Sequence, residues 1–189
     1  GRTDRYGSGN RGTTATTLHG NAQSYGRWEL KLRTVTRTGG PRYLVRVQLV
    51  PERARDYDCG THNITIAEVR QGEGDALIGA TKGRTRWSRT IRLGNIENSA
   101  PSVGVELMDD HVTWFVDSQP VGVLKARKVT GGVPMTLRLS LVGSDPRYAT
   151  IESRLQAAPN IAVPTITIDG AEDPFTPSDD GAGYRVFTA

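Results

Sequence analysis

Apolar and polar residues alternate with a period of two through most of the chain, a pattern that predicts strands rather than helices. In Tyr25–Thr34, Trp28, Leu30 and Leu32 fall on one side and Glu29, Lys31 and Arg33 on the other, as in a strand with one buried face. Thr38-Gly-Gly-Pro41 reads as a turn, and Tyr43–Val50 as a second strand ended by Pro51. An irregular charged stretch, Glu52–Gly60, precedes a β-branched segment, His62–Val69, closed by the turn signal Gln71-Gly-Glu-Gly74. Further short strands are expected at Ala76–Ala80, Thr85–Leu93, Ser102–Met108, His111–Asp117, Val121–Leu124 and Met135–Val142, separated by Gly, Pro, Asn or Asp. Asp117-Ser-Gln-Pro120 places a hairpin turn between two of them. Many short strands at this spacing make the chain all-β, a sandwich or a barrel.

The two ends differ from the middle. Residues 1–14 hold little to bury and are expected to form a flexible polar arm, residues 15–143 the β-sandwich, and residues 144–189 a C-terminal extension. In the extension, Ser144-Asp-Pro-Arg-Tyr148 supplies an N-cap and an early-turn proline. Tyr148, Ile151 and Leu155 then follow at helical spacing, which predicts a helix through about Ala157. A strand is expected at Ile161–Asp169 and a turn-rich loop at Gly170–Pro177.

Composition agrees with the pattern. The chain is rich in Gly, Thr, Val and Arg, and 189 residues suit one domain that can bury a core without disulfides or metal. Lys plus Arg number 24 against 20 Asp plus Glu, a net charge of +4 spread along the chain, which points only faintly to an acidic partner. Arg33, Arg37, Arg42 and Arg46, then Lys82, Arg84, Arg86 and Arg89, mark out either a basic surface or solvated strand faces. No helix-turn-helix, zinc-finger or RNA-binding motif accompanies them, so nucleic acid is not an expected partner. Cys59 is the sole cysteine, which rules out an intrachain disulfide, and His62 is the only histidine near it. Neither a thiolate nucleophile nor a metal site is expected, and no cofactor. No apolar stretch approaches the roughly 20 residues needed to cross a bilayer, so the mature chain is expected to be soluble.

Four segments carry a resemblance to a known family. Tyr25-Gly-Arg-Trp-Glu, Tyr43-Leu-Val-Arg-Val-Gln-Leu-Val-Pro-Glu52, the Asp109–Val123 hairpin and Val133-Pro-Met-Thr-Leu-Arg-Leu-Ser-Leu141 follow one another as in glycoside hydrolase family 16, the laminarinase and lichenase group. The resemblance spans roughly Thr16 to Val142. It implies a concanavalin-like jelly roll of two curved antiparallel sheets, with a glycan cleft across the concave face. It also implies a polysaccharide or oligosaccharide partner and an extracellular or cell-envelope location.

The catalytic strand of that family has the form Glu-x-Asp-x-x-Glu, and the flanking strands set Asn63, Thr65 and Glu68 on the three acidic positions. By this resemblance Asn63 stands at the nucleophile, Thr65 at the helper and Glu68 at the acid/base. Retaining cleavage needs two carboxyl groups about 5 to 5.5 Å apart, and an amide at the nucleophile position can hydrogen-bond a sugar but not form a glycosyl ester. In a regular strand side chains alternate, so positions 63, 65 and 68 share a face only if a β-bulge adds one residue between 65 and 68. Without it Glu68 sides with His62, about 20 Å away at strand rise. Asn63, Thr65, His62, Tyr57 and Trp87 are the candidate sugar contacts, while Trp28 and Trp114 read as core. Asp56, Asp58, Glu73 and Asp75 are the nearby acids that could replace the missing ones. Three readings stay open: a saccharide-binding cleft without efficient retaining hydrolysis, an active endo-β-glucanase-like enzyme with Glu68 as acid/base, and an interaction or assembly protein on a jelly-roll scaffold.

Residues 145–189 resemble the late helix, strand and acid-bearing loop of an α/β-hydrolase, with Asp173 at the triad acid. The chain has no Gly-x-Ser-x-Gly elbow and no histidine after His111, so that triad cannot be assembled. The extension is expected to pack on the sandwich as a helix and an edge strand.

Overall fold

A computed structural model describes residues 5–6, 13–17, 22–35, 42–53, 55–56, 61–125 and 132–143, and four short strands after them. The period-two segments all become strands: β3 (Gly26–Lys31), β4 (Leu44–Pro51), β5 (Asn63–Arg70), β6 (Asp75–Lys82), β7 (Thr85–Arg92), β8 (Ser102–Leu107), β9 (His111–Val116), β10 (Gln119–Lys125) and β11 (Met135–Val142). Two short strands precede them, β1 (Arg5–Tyr6) and β2 (Thr13–Thr17). Four follow: β12 (Arg154–Ala157), β13 (Thr167–Ile168), β14 (Ala171–Glu172) and β15 (Arg185–Thr188).

The strands form a seven-stranded sheet in the order β1-β2-β11-β4-β5-β6-β7 and a six-stranded sheet in the order β10-β9-β8-β3-β15-β12, with β13 and β14 paired on their own. The inward-facing residues of both sheets, among them Leu30, Val47, Leu49, Ile64, Ile66, Ile78, Val105, Trp114 and Leu137, make one apolar core. This is the sandwich of the two all-β forms that the strand pattern allows, and the jelly roll that the resemblance implies, with the inner faces of two sheets buried against each other. The β9–β10 hairpin turns on Asp117 and Ser118, both at positive φ (48° and 65°), as a two-residue type I′ connection requires. The Asp117 carboxylate accepts a hydrogen bond from the Ser102 N–H at 2.8 Å, tying the turn to the start of β8.

The ends depart from expectation in two ways. The segment expected to be an arm contains β1 and the start of β2, which lies between β1 and β11 in the seven-stranded sheet. The helix expected through about Ala157 is corrected at its C-terminal end, where Arg154–Ala157 form a strand antiparallel to β15. β15 in turn runs parallel to β3, the one parallel pairing among the described strands, so the six-stranded sheet is not purely antiparallel. The unpaired backbone groups along a sheet edge offer these residues a ladder, and that tertiary pairing overrides local helical spacing. Residues 144–153 and Asp173 lie outside the described residues.

Candidate functional site

β5 carries an extra residue, and the site depends on it. Against β6, Thr65 pairs with Gly79 and Glu68 with Leu77, so three steps on β5 match two on β6. Against β4, Thr65 pairs with Gln48 and Ala67 with Val47, a slip at the same place. The bulge turns two successive residues, Ile66 and Ala67, into the core, and the burial of β5 follows: Ile64, Ile66, Ala67 and Val69 are buried, while Asn63, Thr65 and Glu68 are half-buried on the opposite face. The condition for the three positions to share a face is therefore met.

A bulge interrupts the ladder and leaves backbone groups in need of partners. Trp114, on β9 of the other sheet and fully buried, donates its indole N–H to the Thr65 carbonyl at 2.9 Å. One core side chain thus bonds the backbone at the start of the irregularity and joins the two sheets there.

On the outer face of the seven-stranded sheet lies an open cleft of about 290 Å³. The registers arrange its lining in rows that cross the strands. Arg46, Glu68 and Leu77 form one row, Gln48, Thr65, Gly79 and Ser88 the next, and Asn63, Thr81 and Arg86 the third. Thr61 adds to the rim. Gly79 leaves the floor of the middle row without a side chain, and a Cβ there would come within 2.7 Å of the Trp87 carbonyl oxygen.

Polar contacts fix the side chains across this face. The Arg46 guanidinium donates through Nε to Glu68 Oε2 in an ion pair whose side chains are 34% and 21% exposed. Gln48 Nε2 donates to Asn63 Oδ1 at 3.3 Å and to Thr65 Oγ1 at 3.2 Å. Asn63 and Thr65 are therefore linked through one amide, and Glu68 is held by a cation from the neighbouring strand. Glu68 is the only carboxylate among the described residues that line the cleft.

The structure brings Asn63, Thr65 and Glu68 together and separates the other candidates from them. His62, one residue before Asn63, faces the opposite way and is only 6% exposed, so strand alternation takes it out of the cleft. Trp87 borders the cleft, but it pairs with the buried Ala80 and its ring packs on Trp114, with centroids 4.9 Å apart. Its indole is thus part of the core margin rather than an open platform. Trp28 and Trp114 are core, as their alternation predicts. Tyr57 and Asp58 lie outside the described residues. Of the possible substitute acids, Asp56 pairs with Arg55, Glu73 with Arg70 and Asp75 with Arg92, and none of the three lines the cleft. Arg46, Gln48 and Gly79 were not among the expected site residues. Their signal lay in the sequence as polar or small residues on the outward side of buried strands, but only the register shows which of them meet.

No protein-family model matches the chain, and no curated protein matches it in sequence. Solved structures do share its fold. The laminarinase catalytic domain from Thermotoga maritima MSB8 superposes with a TM-score of 0.57 at 17% identity, covering 75% of this chain and 64% of that one. The laminarinase from Rhodothermus marinus gives a TM-score of 0.55 at 18% identity, covering 70% of this chain and 59% of that one. The GlcNAcα1-4Gal-releasing endo-β-galactosidase from Clostridium perfringens gives 0.51 at 12% identity, covering 69% and 40%. The chain thus spans less than two thirds of the length of these proteins, and what it shares with them is the laminarinase-type jelly roll.

Proposed function

We propose that this chain, on its laminarinase-type sandwich, holds a polysaccharide or oligosaccharide in the cleft over β4 to β7 and does not carry out efficient retaining hydrolysis. One observation carries the reading: the bulge in β5 sets Asn63, Thr65 and Glu68 on one open face, and Glu68 is the lone carboxylate of the described lining. Retaining cleavage needs one carboxyl group to attack the anomeric carbon and a second, about 5 to 5.5 Å away, to protonate the leaving oxygen. Asn63 stands at the attacking position, and an amide does not form a glycosyl ester. It does offer a carbonyl acceptor and two N–H donors, and with Gln48, Thr65 and Thr81 it presents the neutral hydrogen-bonding groups that sugar hydroxyls require. Glu68 keeps the acid/base position, where its pairing with Arg46 makes it an acceptor for a sugar hydroxyl.

The neighbours support a glycan as the partner, since two of the proteins named above are laminarinases and the third is an endo-β-galactosidase. A polymeric glycan fits an extracellular or cell-envelope location. No helix among the described residues is long and apolar enough to cross a membrane.

The test is incubation of the full chain with laminarin and with mixed-linkage β-glucan, following reducing ends and thermal unfolding together. A rise in melting temperature with no release of reducing ends is the expected result. Steady release overturns the non-hydrolytic reading in favour of an enzyme that uses Glu68. If no saccharide, neutral or charged, changes the melting temperature, the binding reading is wrong.

A further inference from the structure

β7 closes one side of the cleft, and its cations have few carboxylates to answer them. Strands β4 to β7 carry Arg46, Arg70, Lys82, Arg86, Arg89 and Arg92 against two acids, Glu68 and Asp75. Both acids are already engaged, Glu68 by Arg46 and Asp75 by Arg92 at 3.3 Å. Asp75 also sits at the far end of β6, six residues and about 20 Å from Thr81 at strand rise. Arg86 pairs across the ladder with Thr81, which pairs with Asn63, so the guanidinium belongs to the same cross-strand row as the amide at the centre of the site. It is exposed and makes no ion pair with any described residue, and Arg84, two residues before it, is exposed as well. With two arginines against one carboxylate, the described lining carries excess positive charge.

A second observation points the same way. A neutral pyranose is usually gripped by stacking on an aromatic face, yet the only aromatic residue on the described lining is Trp87, whose ring is committed to Trp114. The strongest contact left for a ligand is a charge-assisted hydrogen bond, and a planar guanidinium matches a carboxylate or sulfate in a two-point fork.

We infer that the saccharide taken by this cleft is anionic, with a carboxylate or sulfate group that Arg86 engages from the β7 rim. The inference rests on the proposed saccharide function and names the class of ligand. Charge on the sugar would also draw it to the basic edge of the sheet before the neutral hydrogen bonds of Asn63, Gln48 and Thr65 form.

Calorimetric titration of the full chain tests it with four probes of similar length: an oligogalacturonate, a sulfated galactan oligosaccharide, a laminari-oligosaccharide and a single-stranded oligodeoxynucleotide. At least one of the two charged saccharides should bind about tenfold more tightly than the neutral one, and the better of the two identifies the anionic group. That affinity should fall several-fold as salt rises from about 0.05 M to about 0.5 M. Arg86→Gln, at an exposed position, should weaken the charged saccharide about fivefold and the neutral one much less, with the melting temperature as the control for folding. Equal or tighter binding of the laminari-oligosaccharide overturns the inference while leaving the cleft a saccharide site. An oligodeoxynucleotide that binds as tightly as the charged saccharides overturns it by showing a surface for any polyanion, and so does an Arg86→Gln variant that binds like the native chain. Failure of every saccharide removes the inference together with the function it rests on.

Discussion

Deleting Ala67 should leave the fold and the face of the site intact, although the residue is fully buried in the middle of a core strand. A one-residue deletion within a regular strand flips every side chain beyond it to the other face. The bulge in β5 removes that penalty. With Ala67 gone, Thr65 still points out, Ile66 in, Glu68 out and Val69 in, and both neighbouring ladders, which slip at this point, become regular. The cost is the buried methyl group, about 0.8 kcal/mol, plus the disturbed hydrogen bond from Trp114 to Thr65, about 1 kcal/mol. A total of about 1–3 kcal/mol lowers the melting temperature by roughly 2–12 °C in a chain of this size. Deleting Val47 from the partner strand is the contrast, because it drives Arg46 or Gln48 into the core and turns Val45 or Leu49 out. Each lost apolar side chain costs about 1.5–3 kcal/mol, and a buried unpaired guanidinium costs more, which together approach the roughly 5–15 kcal/mol that holds a domain folded. Circular dichroism with thermal melts should show a cooperative transition for the Ala67 deletion and none for the Val47 deletion. If the Ala67 deletion is as unfolded as the other, the bulge is not what sets the facing of β5, and the placement of Glu68 beside Asn63 and Thr65 fails with it.

Trp114→Phe removes the N–H that meets the Thr65 carbonyl and should cost about 1–3 kcal/mol, read as a fall of roughly 2–12 °C in a thermal melt. Gly79→Val sets a Cβ 2.7 Å from the Trp87 carbonyl oxygen and fills the cleft floor, so both melting temperature and glycan-induced stabilisation should drop, the latter in calorimetry as well. Ser118→Gly relieves a positive φ of 65° in the hairpin turn and should raise the melting temperature by about 1–4 °C, a gain of about 0.5–1 kcal/mol. Asn63→Glu combined with Thr65→Asp adds two carboxylates to the face that already holds Glu68, and if the proposed function is right, reducing-end release from laminarin should appear in the variant and not in the native chain.

β3, β4 and β5 were legible because they bury mainly alternate positions, and β8, β9 and β11 because they are short apolar, β-branched runs bounded by turn residues. The bulge between Thr65 and Glu68 was legible only as a condition, since the resemblance implies that the three positions share a face and at that spacing they do so only with an extra residue. What stayed hidden depends on partners distant in sequence. Nothing local to Arg46 announces that it meets Glu68, 22 residues away, and nothing in the neighbours of Trp87 shows that its ring turns to Trp114. His62 illustrates the limit of residue type as a guide, because its chemistry suits a cleft while its place in the alternation sends it inward. The strand at Arg154–Ala157 was missed for the same reason as the two pairings. Helical spacing is a local signal, and the ladder that overrides it is built with β15, at the other end of the extension.

Among the described strands, β7 is the last of the seven-stranded sheet, with none paired beyond it. An open row of backbone donors and acceptors at such an edge invites a second chain to add itself, and repetition of that step leads to insoluble fibrils. Arg84, Arg86, Arg89 and Arg92 put a positive charge at short intervals along this border, so two such borders repel before their backbones can zip together. Neutralising the border would therefore test colloidal behaviour as well as recognition. A variant stripped of these arginines should precipitate at concentrations where the native chain stays dispersed, and a bound polyanion should tip the native chain the same way.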